Sequence, residues 1–220
     1  MIELGAVAAC VLGVLILLIA ERRGHEYLRW IAKTAASAAF VAFAYAGVGL
    51  GGSLDLTAMS PKKYLFFGLV ACMAGDIFLL PKARLSFLVG MAAFAVGHIL
   101  YIFAFSHLGA SLPLAALLSI LIIIFVERVV LREISPNLGA MAAPVRAYAL
   151  VISIMVATIL SAIASGDVRW GLVFGAVCFA ISDVAVARDQ FVKDQFANKL
   201  WGLPLYYGAQ LLIAGSVSGL

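Results

Sequence analysis

Between Leu112 and Val126 the chain carries no charged side chain, and only Pro113 and Ser119 interrupt the apolar residues. Runs like this one recur along the sequence, and they leave few folds open. A strand of a membrane barrel would alternate apolar and polar side chains, and these runs do not. A continuous run is what a helix in hydrocarbon requires, because there the backbone must satisfy its own hydrogen bonds. Composition agrees. Of 220 residues, 65% are hydrophobic and 12% charged, and the mean hydropathy is +1.13. Soluble domains carry about 25% charged residues. At this length their surface-to-volume ratio leaves no room to hide so much apolar surface. The expected fold class is therefore all-α, a polytopic membrane helix bundle.

Charge, glycine and proline punctuate the chain into eight expected spans, at residues 2–20, 31–50, 63–80, 86–107, 111–130, 144–165, 168–187 and 199–218. The first has no basic residue ahead of its apolar run and no clear small-residue cleavage site before Glu21-Arg22-Arg23, so it reads as a span and not as a cleaved signal. Pro61, Pro81, Pro113, Pro136 and Pro144 fall at span ends or between spans, where helix sterics tolerate them; Pro204 falls inside the last span, where it is expected to kink the helix. No soluble domain, linker or low-complexity segment interrupts the pattern, and residues 1–220 read as one transmembrane domain. Cys10, Cys72 and Cys178 stand singly in apolar runs, without metal or redox spacing.

The formal net charge of +4 says less than where the charges lie. The loops after spans 1, 3, 5 and 7, with their flanks, hold Arg22, Arg23, Arg29, Lys33, Lys82, Arg84, Arg128, Arg132, Arg146, Arg188, Lys193 and Lys199. The opposite side holds Lys62, Lys63 and Arg169. Positive charge marks the cytoplasmic side, so both termini are expected outside and the basic loops in the cytoplasm. Gly75-Asp76 closes span 3 and Ser182-Asp183 closes span 7, four spans later in the same orientation. That echo suggests two parallel four-helix halves.

An ionisable group inside a span costs at least about 2.5 to 3.5 kcal/mol at the centre, so each one is a site hypothesis. Asp76 and Asp183 each lie about a turn and a half from the cytoplasmic end of their expected span, roughly 7 to 9 Å deep at about 1.5 Å per residue. Two carboxyls sharing one dry pocket supply one acid and one base. The alternative is local pairing, of Asp76 with Lys82 or Lys33 and of Asp183 with Arg188. His98 is the only histidine within a span core, and a lone histidine makes a zinc site improbable. Tyr206 and Gln210 share a helix face at i and i+4, beside Tyr207. Lys33 opens span 2, either snorkelling to the surface or meeting a phosphate.

These segments also resemble a known family. Gly75-Asp76-Ile77-Phe78-Leu79-Leu80, with Phe87 to Phe94 and then Gly97-His98-Ile99-Leu100-Tyr101, is similar to its first signature. Phe179-Ala180-Ile181-Ser182-Asp183 is similar to the second, and Leu203-Pro204-Leu205-Tyr206-Tyr207-Gly208-Ala209-Gln210 to the third. Together they resemble the YhhN family, whose animal relatives are the TMEM86 lysoplasmalogenases. The family often opens span 2 with Lys-Pro where this chain has Lys33-Thr34, and usually has a neutral polar residue where this chain has Arg188-Asp189.

The resemblance implies an eight-span enzyme that hydrolyses the vinyl ether of a lysoplasmalogen to a fatty aldehyde and a glycerophospho-alcohol; from the residues themselves no cofactor or metal is expected. Its expected partners are a lysophospholipid substrate and membrane lipid, not nucleic acid, and its expected place is a bacterial cytoplasmic membrane with the site toward the cytoplasmic half. The reaction needs a proton donor, an anion and a placed water, which suits Asp76, Asp183 and His98 as catalytic residues. Lys33, Tyr101, Tyr206, Tyr207 and Gln210 are the expected substrate-binding residues. A transporter or lipid-binding protein using the same carboxyls as protonation sites is the rival reading, although no paired broken helices mark a midplane site.

Overall fold

The computed structural model describes residues 2–48, 59–166, 169–218 and 220. Residues 49 and 50 of the expected second span, and residue 168 of the seventh, lie outside them. The described residues form no strand. Their long helices are α1 (Ile2–Arg23), α2 (Glu26–Val48), α3 (Pro61–Phe78), α4 (Arg84–Ser106), α5 (Leu112–Val126), α7 (Ala142–Ala162), α8 (Trp170–Phe191) and α9 (Phe196–Val217). A single turn, α6 (Arg132–Ile134), follows a π-helical turn at Glu127–Leu131.

The expectation of eight spans is met in the number of long helices and not in their apolarity. Six segments of the described residues are long and apolar enough to cross a membrane: Glu3–Arg23, Glu26–Val48, Arg84–Ser106, Leu112–Asn137, Gly139–Ser165 and Trp170–Phe191. The two that fall short are α3, which carries Lys62, Lys63 and Asp76, and α9, which carries Asn198, Lys199, Tyr206, Tyr207 and Gln210. Both give apolar positions to the polar groups described below. The whole is a helical membrane bundle.

Helix ends depart from the expected span ends for a simple reason. Apolar counting stops at the first charge, whereas backbone hydrogen bonding continues through it. Thus α2 begins at Glu26 and runs past Arg29, and α8 continues through Arg188 and Asp189 to Phe191. Ser60 caps α3, its hydroxyl accepting from the Lys63 amide at 3.4 Å, and Pro61 fills the first helical position, where a missing N–H costs nothing. Pro204 lies inside α9, which is helical on both sides of it.

Consecutive helices pack as pairs, α1 with α2, α3 with α4, α5 with α7, and α8 with α9. The pairs join where α2 meets α3 and α9, and where α7 meets α4 and α8. Phe40, Tyr101, Phe105, Phe179 and Tyr207 are fully buried at the centre. Lipid solvates apolar side chains as well as a neighbouring helix does, so close packing of small residues has to hold the pairs together. A Cβ on Gly97 would stand 2.7 Å from Cys72 Sγ and 3.0 Å from the Gly68 carbonyl. Gly97→Leu is therefore expected to push α4 off α3 and to cost about 1–3 kcal/mol or more. Thermal unfolding of the purified variant in detergent checks this; an unchanged midpoint would show that the close approach does not hold the pair.

Candidate active site

One face of α2 presents Arg29, Lys33 and Ser37 at successive helical turns. All three reach α3. Arg29 Nη2 donates to the Leu80 carbonyl at 2.9 Å, just past the end of that helix. Lys33 Nζ stands 3.4 Å from Asp76 Oδ1. Ser37 Oγ lies 2.7 Å from Asp76 Oδ2 and 3.0 Å from the Lys33 carbonyl; with one proton to give, it serves the closer carboxylate oxygen. From α9, Tyr206 Oη donates to the same Oδ2 at 2.7 Å. Tyr207 Oη sits 3.2 Å from Ser37 Oγ and 3.3 Å from the Lys33 carbonyl. Asp76, only 2% exposed, thus has a cation and two hydroxyls arranged around it, as a buried carboxylate requires.

Asp183 has different surroundings. Tyr148 of α7 donates to its Oδ2 at 3.1 Å. His98 of α4, with no exposed surface, brings Nε2 to 3.8 Å from the same oxygen, beyond hydrogen-bonding distance. Neither ring nitrogen of His98 has a hydrogen-bond partner, and neither does Gln210 Nε2. Gln210 Oε1 accepts from Tyr101 Oη at 3.1 Å. The Phe179 ring lies between the two clusters, 4.4 Å from the His98 ring and 5.3 Å from that of Tyr206, centre to centre.

A cavity of about 540 Å³ touches both carboxyls. Asp76, Asp183, Lys33 and Tyr206 line it, together with Tyr148. His98, Tyr101, Tyr207 and Gln210 stand behind that wall, so they meet a cavity occupant only through the residues in front of them. At the polar end the lining carries Arg29 and Glu21, with Asp189 and Lys199. Lys199 Nζ is 3.2 Å from Asp189 and 3.9 Å from Glu21, and it also bonds Asp194, whose carboxyl it holds below the usual range.

Of the local pairings expected, Asp76 has Lys33, while Arg188 pairs with Glu133 at 2.6 Å and leaves Asp183 to Tyr148 and His98. The distances of the two aspartates from their helix ends are unequal. Asp76 is two residues from the end of α3, whereas Asp183 is eight from the end of α8. Both aspartates nevertheless line one cavity. Sequence reasoning missed Ser37 and Tyr148. Ser37 carried a faint signal, one turn beyond Lys33 on the same helix face; Tyr148 carried none beyond a hydroxyl in an apolar run. Among the described residues no group of three His, Cys, Asp or Glu side chains is placed to hold a metal ion.

Comparison with known proteins points the same way as the motifs. The profile of the YhhN family matches residues 28–217. Lysoplasmalogenase TMEM86B of Homo sapiens is 37% identical over 165 residues, covering 72% of this chain and 66% of its own. TMEM86B of Rattus norvegicus is 34% identical, covering 73% and 65%, and lysoplasmalogenase TMEM86A of Bos taurus is 31% identical, covering 68% and 63%. The matched region therefore spans just under two thirds of the length of each of these relatives. No solved structure gives a significant match.

Proposed function

The chain belongs to the YhhN family, and from that premise we propose that it is a lysoplasmalogenase-type ether hydrolase, cleaving the vinyl ether of an alkenyl-glycerophosphocholine or -ethanolamine to a fatty aldehyde and a glycerophospho-alcohol. The observation that carries this reading is that Asp76 and Asp183 line one cavity in mainly apolar surroundings, yet have unlike partners. Vinyl ethers hydrolyse by protonation at carbon. The carbon–carbon double bond takes a proton, leaving an oxocarbenium ion; water adds to it, giving a hemiacetal; the hemiacetal collapses to aldehyde and alcohol. This is the division of labour that two carboxyls perform in glycoside hydrolysis.

Asp76, with Lys33 and two hydroxyls around it, is the standing anion that stabilises the cation. Asp183, which has no lysine or arginine against it among the described residues, gives the proton to the double bond and takes one back from the attacking water. Tyr148 and His98 orient that carboxyl. Tyr206 lines the cavity beside Asp76, with the Tyr207 ring against it and the Tyr101–Gln210 pair behind the wall. Arg29 and Lys33, at the polar end, receive the phosphate. In this reading all eight long helices cross a bacterial cytoplasmic membrane, both termini lie outside, and the site opens toward the cytoplasmic half.

Purified protein in detergent or nanodiscs is expected to release free aldehyde and glycerophospho-alcohol in equal amounts from the alkenyl lysolipid. It should leave the saturated alkyl ether intact, since that has no double bond to protonate. Absence of aldehyde with either head group overturns the reading. Movement of the lysolipid without chemistry would assign the same carboxyls to a carrier.

A further inference from the structure

From Asp183 and Tyr148 the cavity extends between α5, α7 and α8 along residues that the proposed chemistry does not use. On α7 it is lined by Tyr148, Ile152, Val156 and Leu160, four residues apart each time, so they form one continuous ridge inclined to the helix axis. On α8 the stripe is Val177, Ile181 and Val184, and on α5 it is Ile122, Phe125 and Val126. Both α5 and α8 pack on α7, which makes α7 the floor and the other two the walls. At about 1.5 Å per residue the floor runs roughly 18 Å from Tyr148 to Leu160, and the α8 wall roughly 9 Å from Asp183 to Val177. The rims face outward: Phe125 is 60% exposed and Ile181 48%, although both line the cavity. Between Val126 and Val130 the α5 backbone passes into the π-helical turn, a local irregularity that recurs at functional sites.

We propose that this trough is the slot for the hydrocarbon chain of a single-chain lipid, which enters sideways from the bilayer between Phe125 and Ile181 and stops with its polar end at Asp183. Beyond Tyr148 its lining is apolar except for Ser153, whose hydroxyl donates to the Ala149 carbonyl at 2.7 Å, and it joins a site whose far side carries charge of both signs, so one amphiphile fills both parts. One stripe on each of three helices encloses one chain. That the polar end reacts at Asp183 rests on the hydrolase reading; that a chain fills the trough does not.

The test uses the unmodified protein in nanodiscs and two saturated alkyl-ether lysophosphocholines, one with a diazirine near the head and one with it at the chain end. After illumination and peptide mapping, the head-end label is expected at Tyr148, Ile152 and Val184, and the tail-end label at Val156, Leu160 and Val177. Excess unlabelled alkyl lysolipid should abolish both, while labelling of the lipid-facing Leu117 and Ile120 persists. Label that is not displaced, that falls only on lipid-facing residues, or that does not move with the diazirine overturns the proposal. Displaced trough label without aldehyde release would remove the hydrolase reading and leave the slot; aldehyde release without trough label would do the reverse. Leu160→Trp, which fills the far end, is expected to lower displaceable tail-end labelling by roughly tenfold for a long chain and to spare a short one, the discrimination a filled apolar pocket gives. Equal effects on both lengths would also count against the slot.

Discussion

Asp183→Asn is expected to lower aldehyde release by roughly 10²- to 10⁴-fold, the range over which a positioned general acid contributes. Asparagine keeps the size of the side chain and an oxygen for the Tyr148 hydroxyl, which donates at 3.1 Å, so the packing of α7 on α8 should survive. What it removes is a transferable proton. The measurement is the initial rate of aldehyde release at saturating lysolipid, on protein whose melting midpoint and monodispersity match the parent. Tyr148→Phe serves as the graded companion. It leaves the acid in place but frees its orientation, and it should cost less than the asparagine variant while shifting the pH profile. If Asp183→Asn retains most of the parent rate, the proton comes from elsewhere and the assignment is wrong.

The second large effect concerns the pair across α2 and α3. Removing one member of a buried ion pair leaves the other charged without compensation, which costs about 3–5 kcal/mol. Lys33→Met should therefore destabilise the protein strongly, because Asp76 is 2% exposed and loses its only cation among the described residues, 3.4 Å away. Asp76→Asn should do the same by stranding Lys33, and should also abolish aldehyde release. The double variant is the informative one. It is expected to regain much of the lost stability, since no unpaired charge remains, but none of the activity. Denaturation midpoints of the four proteins close the cycle. Strictly additive losses would show that the pair is not coupled, and recovered activity in the double variant would show that Asp76 is structural only.

Much of the candidate site was legible residue by residue. Asp76, Asp183, Lys33 and Tyr206 stood out because polar groups in apolar runs are expensive, and all four line the cavity. Ser37 and Tyr148 did not stand out, because a hydroxyl in a span is cheap and common. Only a partner makes it informative, and the partners are 39 and 35 residues away in sequence. His98 and Gln210 were found by the same cost argument, but they lie behind the cavity wall with polar atoms unpaired. Cost identifies a buried polar group without saying which side of a helix pair it faces.

The apolar runs by themselves required a helical membrane bundle, because no other backbone arrangement satisfies its hydrogen bonds in hydrocarbon. Read with the motifs, they also marked the two carboxyls and pointed to the family. Whether those carboxyls share a space was decided by tertiary structure alone. It depends on how the helices are placed against one another and on how each is rotated about its axis. Glycine contacts such as Gly97 against Cys72, and Gly202 against Ala185, set those positions. The helix-end offset of two residues for Asp76 and eight for Asp183 cannot be read from hydropathy. The trough likewise exists only because three apolar stripes, each unremarkable in a membrane helix, face one another.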